Sequence, residues 1–147
     1  MSTPNPSLQK KSAARLCAAQ CLYRDRMGER LSPEAHVQAL QAQLAHNRDE
    51  QRLLIGAPIE PDYKLLLAIL SGVEEAGAQI DARLDSALSK EWKRERMSPL
   101  LVAILQCGIF ELFFYKDSAP KIILDEYTRL TRRFFEEKEV QKDIDLM

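Results

Sequence analysis

Cations gather near the beginning of this 147-residue chain, where they could bind an anionic partner. Residues 1–30 hold six Lys or Arg against two Asp or Glu, a net charge of +4, and the remaining residues carry −5. A basic end on a mildly acidic body is typical of a surface that contacts phosphates or another polyanion. Ordinary solvated helix charges give the same count, so charge alone leaves both interpretations open.

Two pairs of residues are of types that bind metals, but neither pair is positioned in the sequence to form a metal site. Cys17 and Cys21 stand at i and i+4 of a predicted helix, with no histidine near them in sequence. Free cysteine is among the most buried residue types, so we interpret Cys17, Cys21 and Cys107 as small core residues. His36 and His46 are ten positions apart, about 280° around a helix, and do not share a face. We expect no metal and no cofactor.

The chain contains no Gly-rich phosphate loop, no G-x-S-x-G and no H-E-x-x-H, so we do not expect an enzyme. Its start lacks the apolar segment of a secretory signal, and three cysteines form no disulfide framework. We therefore predict a cytoplasmic protein. The longest apolar stretch, residues 99–115, contains Gln106 and Glu111 and is too short for a membrane span.

Helical periodicity dominates, and no β-alternation is visible, which predicts an all-α bundle of about six helices. Ser32-Pro33-Glu34 and Ser98-Pro99 each combine an N-cap residue with proline at the first helical position. We place helices at about 8–27, from 33 to about 46, at 62–88, at 99–115 and from 120, with a polar connection at 47–61. The predicted organisation is a flexible tail at 1–7, one domain at 8–138 and a C-terminal tail at 139–147.

Glu111 is the polar residue set deepest in the apolar segment 99–115. A buried carboxylate is costly, so this side chain should have a hydrogen-bond donor or a cation beside it. In the last helix, the inward stripe is predicted to contain Ile123, Tyr127, Leu130 and Phe134. Neighbouring acidic residues dilute the charge of three arginines of this helix, which we interpret as solvated surface: Arg129, Arg132 and Arg133.

Three blocks of this sequence, in order and well spaced, resemble the bacterial NusB transcription antitermination family. Residues 15–23 (RLCAAQCLY) are similar to the family's R-x-x-A-x-Q-x-L-Y, and residues 66–73 with Ile80-Asp81 to L-x-x-G-V followed by I-D. Residues 101–134 are similar to the segment that contains YEL and P-x-K in the family. The resemblance implies a NusB-like bundle of two packed helical subdomains. It also implies a non-enzymatic factor that binds boxA-type RNA of ribosomal RNA operons together with a ribosomal protein, NusE.

The resemblance also implies which residues contact RNA. Lys10, Lys11 and Arg15 match the Arg-rich stretch that holds the RNA backbone in the family. Lysine neutralises phosphate without the bidentate fork of arginine. Tyr23 matches the tyrosine ending the first block, where it either stacks on a base or covers the core edge. Lys121 matches the lysine that follows the family's proline turn, at a helix start that favours anions.

Two departures from the family pattern accompany the resemblance. Residues 138–147 do not contain the FVNGVLD-like motif that begins the family's final helix, and Gln106 replaces an arginine. The alternative function is therefore a helical protein–protein adaptor of NusB fold with reduced or lost RNA binding. The expected partners are boxA-type RNA, a NusE-type ribosomal protein and the transcription elongation complex, with no membrane; a homodimer is a further option.

Overall fold

The computed structural model describes residues 6–28, 30–51, 60–88 and 93–146. Within these ranges the chain forms helices and connecting loops and no strand, which confirms the predicted all-α bundle of six helices. The helices are α1 (Pro6–Met27), α2 (Pro33–Gln51), α3 (Tyr63–Glu75), α4 (Gly77–Ala87), α5 (Pro99–Ile109) and α6 (Pro120–Leu146). A 3₁₀ turn at Arg94–Arg96 precedes α5, and a π-helical segment at Phe110–Tyr115 follows it.

Proline begins both helices as predicted, but a side-chain cap forms at only one of them. Pro33 begins α2, and the Ser32 hydroxyl accepts the Ala35 N–H at 3.1 Å, which satisfies a backbone N–H that has no partner within the helix. Pro99 begins α5 after Ser98, whose side chain forms no capping hydrogen bond; its carbonyl accepts the Val102 N–H at 3.0 Å.

Asp62 caps α3 and also fixes it to the first helix. Its carboxylate accepts the Leu65 N–H at 3.1 Å, and its own N–H donates to the Lys10 carbonyl at 2.9 Å. The start of α3 is therefore hydrogen-bonded to the first turns of α1, which holds the basic end of the chain against the bundle.

Several predicted boundaries differ from the structure. The polar residues after position 46 continue α2 to Gln51, because polarity alone does not stop a helix and the breakers Gly56 and Pro58 come later. The region 62–88 is two helices, interrupted at Ala76. The last helix continues to Leu146, past the position at which we placed a tail. Trp92 lies outside the described residues.

One hydrophobic cluster joins α1, α3, α4, α5, the π-helical segment and α6. The buried side of α3 and α4 includes Leu65, Ile69, Val73 and Ile80. The three cysteines are free, with Cys21 and Cys107 buried and Cys17 packed against the same cluster, as predicted. A division into two subdomains stays a prediction.

Gly72 lets α3 approach the end of α5 closely. A Cβ built there would overlap Cε1 of Phe110, because the two carbon atoms would be much closer than van der Waals contact allows. Phe110 is itself buried, so its ring fills the notch that the glycine leaves. This contact brings the π-helical segment, with Glu111, against the centre of the bundle.

Candidate nucleic-acid interface beside the first helix

Lys10 and Lys11 lie in the first turns of α1, where the Lys10 side chain is exposed and the Lys11 side chain is half-buried. Among the residues that the structure describes, neither ammonium group forms an ion pair. Because the Lys10 carbonyl holds the N–H of Asp62, the backbone that carries these cations is fixed. They remain candidates for contact with an anionic partner.

Arg15 lies inside the protein, with 1 % of its surface exposed. Its Nε donates to Oε2 of Glu111 at 2.8 Å, and its Nη2 donates to Oε1 at 3.0 Å, a bidentate ion pair. This position corrects the prediction that Arg15 contacts RNA, because the guanidinium is sealed from solvent and committed to a carboxylate. The lone arginine of the KKSAAR stretch stabilises the fold.

Glu111, also 1 % exposed, has the partners that its burial requires. It accepts both Arg15 bonds and a third bond, from the Tyr127 hydroxyl to Oε2. The network joins α1, the π-helical segment and α6 across sequence separations of 96 and 16 residues. The prediction that this carboxylate is paired is confirmed.

Electrostatics raises the pKa of two members of the network, Arg15 and Tyr127. Burial by itself lowers the pKa of Arg15, but the hydrogen bonds and charge of Glu111 outweigh it and raise that pKa. Burial, followed by the thiol of Cys107 and the charge of Glu111, raises the pKa of Tyr127 well above its usual value. At neutral pH the arginine is therefore charged and the phenol is a hydrogen-bond donor.

Tyr23 and Lys121 lie in different settings. Tyr23, in the second half of α1, is half-buried and packs against the hydrophobic cluster. Lys121 is exposed in the first turn of α6, directly after Pro120. Contact of either residue with RNA stays a prediction.

A groove runs between the first half of α1 and the middle of α6. Its walls include Leu8, Ser12 and Leu16 from α1 and Glu126, Arg129 and Arg133 from α6. Ser12 Oγ lies 2.9 and 2.8 Å from the two carboxylate oxygens of Glu126, to which it donates, and this contact holds the two helices together. We call this feature the α1/α6 groove.

Arg129 and Arg133 are the basic residues that sequence reasoning missed as part of a site. They stand one helical turn apart on α6, and both are exposed at the edge of the α1/α6 groove. The available signal was their i, i+4 spacing around the buried Leu130. Only the packing of α6 beside α1 shows that they face the first helix.

Further polar contacts lie around the other end of α1. Nε2 of His36 is 2.8 Å from Oδ1 of Asp25, so the buried histidine ties α2 to α1. Gln106, buried in α5, donates to Asp81 at 2.7 Å, and Arg94 pairs with the other oxygen of that carboxylate. The glutamine thus has a structural partner in the chain.

Among the described residues, no three His, Cys, Asp or Glu side chains are placed to hold a metal ion. In the same part of the chain, no helix is both long and apolar enough to cross a membrane.

The protein is a small all-α bundle, and exposed lysines and arginines on its first and last helices form a candidate surface for binding a polyanion. The sequence profile of the NusB family matches residues 12–141. The chain is 34% identical to transcription antitermination protein NusB of Bartonella quintana over 128 residues, 86% of this chain and 78% of that protein. Identity to the protein of the same name is 33% over 129 residues in Maricaulis maris, covering 86% and 76% of the two chains. In Sinorhizobium fredii it is 31% over 136 residues, covering 92% and 82%. The chain belongs to the NusB family.

Proposed function

We propose that this protein is a non-enzymatic transcription antitermination factor that binds boxA-type RNA of ribosomal RNA operons together with a NusE-type ribosomal protein. The observation that carries the proposal is membership of the NusB family over residues 12–141. Relatives from three organisms, each similar over more than four-fifths of this chain, are named as transcription antitermination proteins.

The physical support is a set of cations at the start of α1 and at the start of α6. Lys10 and Lys11 are carried on a helix whose first turns are tied to Asp62, and Lys121 lies at the start of α6. Ammonium groups on such a surface displace condensed counterions from phosphates, so that affinity falls as salt rises. Tyr23 supplies an aromatic face farther along the same helix, for stacking or for closing the core edge.

A salt titration of RNA binding tests the proposal. Fluorescence anisotropy of a labelled single-stranded boxA RNA is measured between about 50 and 200 mM salt, with and without the NusE-type protein. Neutralising Lys10→Gln with Lys11→Gln should make the slope of log K against log[salt] shallower by about 1.4, since each single-strand phosphate contact contributes about 0.7.

The matched control is Lys93→Gln with Arg132→Gln, which removes two exposed cations that do not line the α1/α6 groove. This control should leave the slope unchanged. Wild-type affinity for boxA RNA no higher than for unrelated RNA, even with the ribosomal protein present, would refute the proposal.

A second candidate function is the protein–protein adaptor with reduced or lost RNA binding. One observation favours it: an apolar groove between α5 and α6 is lined by Ile104, Leu112 and the exposed Leu124. Such surfaces commonly bind proteins. Capture of the ribosomal protein without any boxA preference would select this function.

A further inference from the structure

Three arginines line the α1/α6 groove, and two of them come from α6. Arg15 lies buried in its wall, and Arg129 and Arg133 lie at its rim. Apart from Arg15, the residues of α1 that line the groove, Gln9 and Ser12 among them, are uncharged. The exposed positive side chains of the groove therefore come from α6.

Glu126, the acidic residue of the groove, already accepts hydrogen bonds within the protein. Both oxygens of Glu126 accept the Ser12 hydroxyl, and the carboxylate is only partly exposed. It lies 3.8 Å from Nη1 of Arg15, a buried atom without a hydrogen-bond partner in the described part of the chain. The Nη1 group contributes positive potential to the groove wall but is closed to a ligand, so direct contacts fall to Arg129 and Arg133.

The spacing and environment of those two arginines suit a phosphodiester strand. They stand four residues apart on one helix, about 6 Å along its axis, and each guanidinium can hold a phosphate through two parallel hydrogen bonds. Leu8 and Leu16 give the opposite wall an apolar surface on which sugars or base faces can lie. Lys10 and Lys11 belong to the same turns of α1 as Gln9 and Ser12, so the groove adjoins the proposed RNA contacts.

We propose that the α1/α6 groove is a second phosphate-binding stretch of the RNA site, in which Arg129 and Arg133 replace cations that α1 lacks. This inference rests on the proposed function. The inferred RNA path runs from the start of α1 onto α6. On α6 the arginines bind phosphate through two hydrogen bonds in a fixed geometry, whereas the lysines of α1 act as point charges.

The test compares Arg129→Gln with Arg133→Gln against the control Lys93→Gln with Arg132→Gln in the same boxA RNA titration, using the full chain. Losing two phosphate contacts should weaken binding about 25-fold at 0.1 M salt, flatten the salt slope by about 1.4, and leave little difference near 1 M salt. The control should match wild type. Replacing both groove arginines by lysine should give intermediate affinity, because charge is kept while the fork is lost.

The outcomes separate this inference from the proposed function. If Lys10→Gln with Lys11→Gln weakens RNA binding but the groove variant equals the control, the groove inference is overturned and the function stands. If the groove variant keeps its RNA affinity and loses only the ribosomal protein, the groove binds an acidic protein segment and the inference is likewise overturned. If wild type shows no salt-dependent affinity for boxA RNA, both proposals fall.

Arg129 and Arg133 are exposed, so folding should survive their replacement. Urea unfolding midpoints of the variants measure whether they fold. If the double glutamine variant is unfolded, RNA binding by the double lysine variant tests the inference. Lysine variants that bind as tightly as wild type and with the same salt slope would show that the arginine forks are not used.

Discussion

Glu111→Gln should destabilise this protein strongly, although it changes one atom. The carboxylate accepts three bonds, two from Arg15 and one from the hydroxyl of Tyr127. An amide of the same shape keeps one acceptor oxygen and turns an NH₂ group toward the remaining donors. The substitution also leaves the charge of Arg15 buried without a counter-ion.

The expected cost can be worked out in two ways that agree. Losing two hydrogen bonds to a charged group costs about 1.5–3 kcal/mol each. Removing one partner of a buried ion pair costs about 3–5 kcal/mol. Since domains of this kind have an unfolding free energy of about 5–15 kcal/mol, a loss near 4 kcal/mol removes a large share of it.

Urea unfolding followed by circular dichroism measures the effect. With a slope of about 2 kcal/mol/M, a loss of 4 kcal/mol lowers the midpoint by about 2 M. Glu126→Gln is the matched control, because that carboxylate is partly exposed and lies 3.8 Å from the guanidinium. Equal midpoints for Glu111→Gln and wild type would refute the assignment of Arg15 to the core and reopen its role in RNA contact.

Two further predictions concern packing and alkaline pH. Gly72→Ala should cost about 1–3 kcal/mol, because its methyl group meets the ring of Phe110, whereas Gly77→Ala meets nothing within 4 Å and should not destabilise; equal urea midpoints for the two variants would contradict the close approach. Burial raises the pKa of Cys21 to about 11, from a usual value of 9.0, and raises the pKa of Tyr127. The folded state therefore keeps protons that the unfolded chain releases, so the unfolding free energy should fall by about 1.4 kcal/mol per pH unit for each group, above about pH 9 for Cys21 and above about pH 10 for Tyr127. Cys21→Ala should make that decline shallower in urea titrations from pH 8 to 10.5, and an unchanged decline would show that this thiol does not contribute.

The helices and much of the core were predictable because their signals are local. Serine–proline pairs set the starts of α2 and α5, and apolar periodicity marked Ile123 and Leu130 as buried. The boundary errors have the same origin. The polar residues 47–51 predict a loop but continue α2, because polarity reports exposure and not helix termination.

The candidate site was less predictable because a cation's role depends on what packs against it. Arg15 and Lys11 are four residues apart on one helix, yet only Arg15 meets a carboxylate from a segment 96 residues away. Arg129 was interpreted as solvated surface from its own helix alone. Its place beside α1 follows from the packing of α6, which no local pattern encodes.

By itself, the sequence determined that this chain is helical, that its first thirty residues are basic and that Glu111 needs a partner, since composition, periodicity and the cost of a buried charge are properties of the residues themselves. Tertiary structure alone decided which cations are withdrawn into the core and which remain at the surface. The physical reason is that desolvation and pairing depend on distances between residues remote in the chain, and those distances exist only once α1, α5 and α6 have packed together.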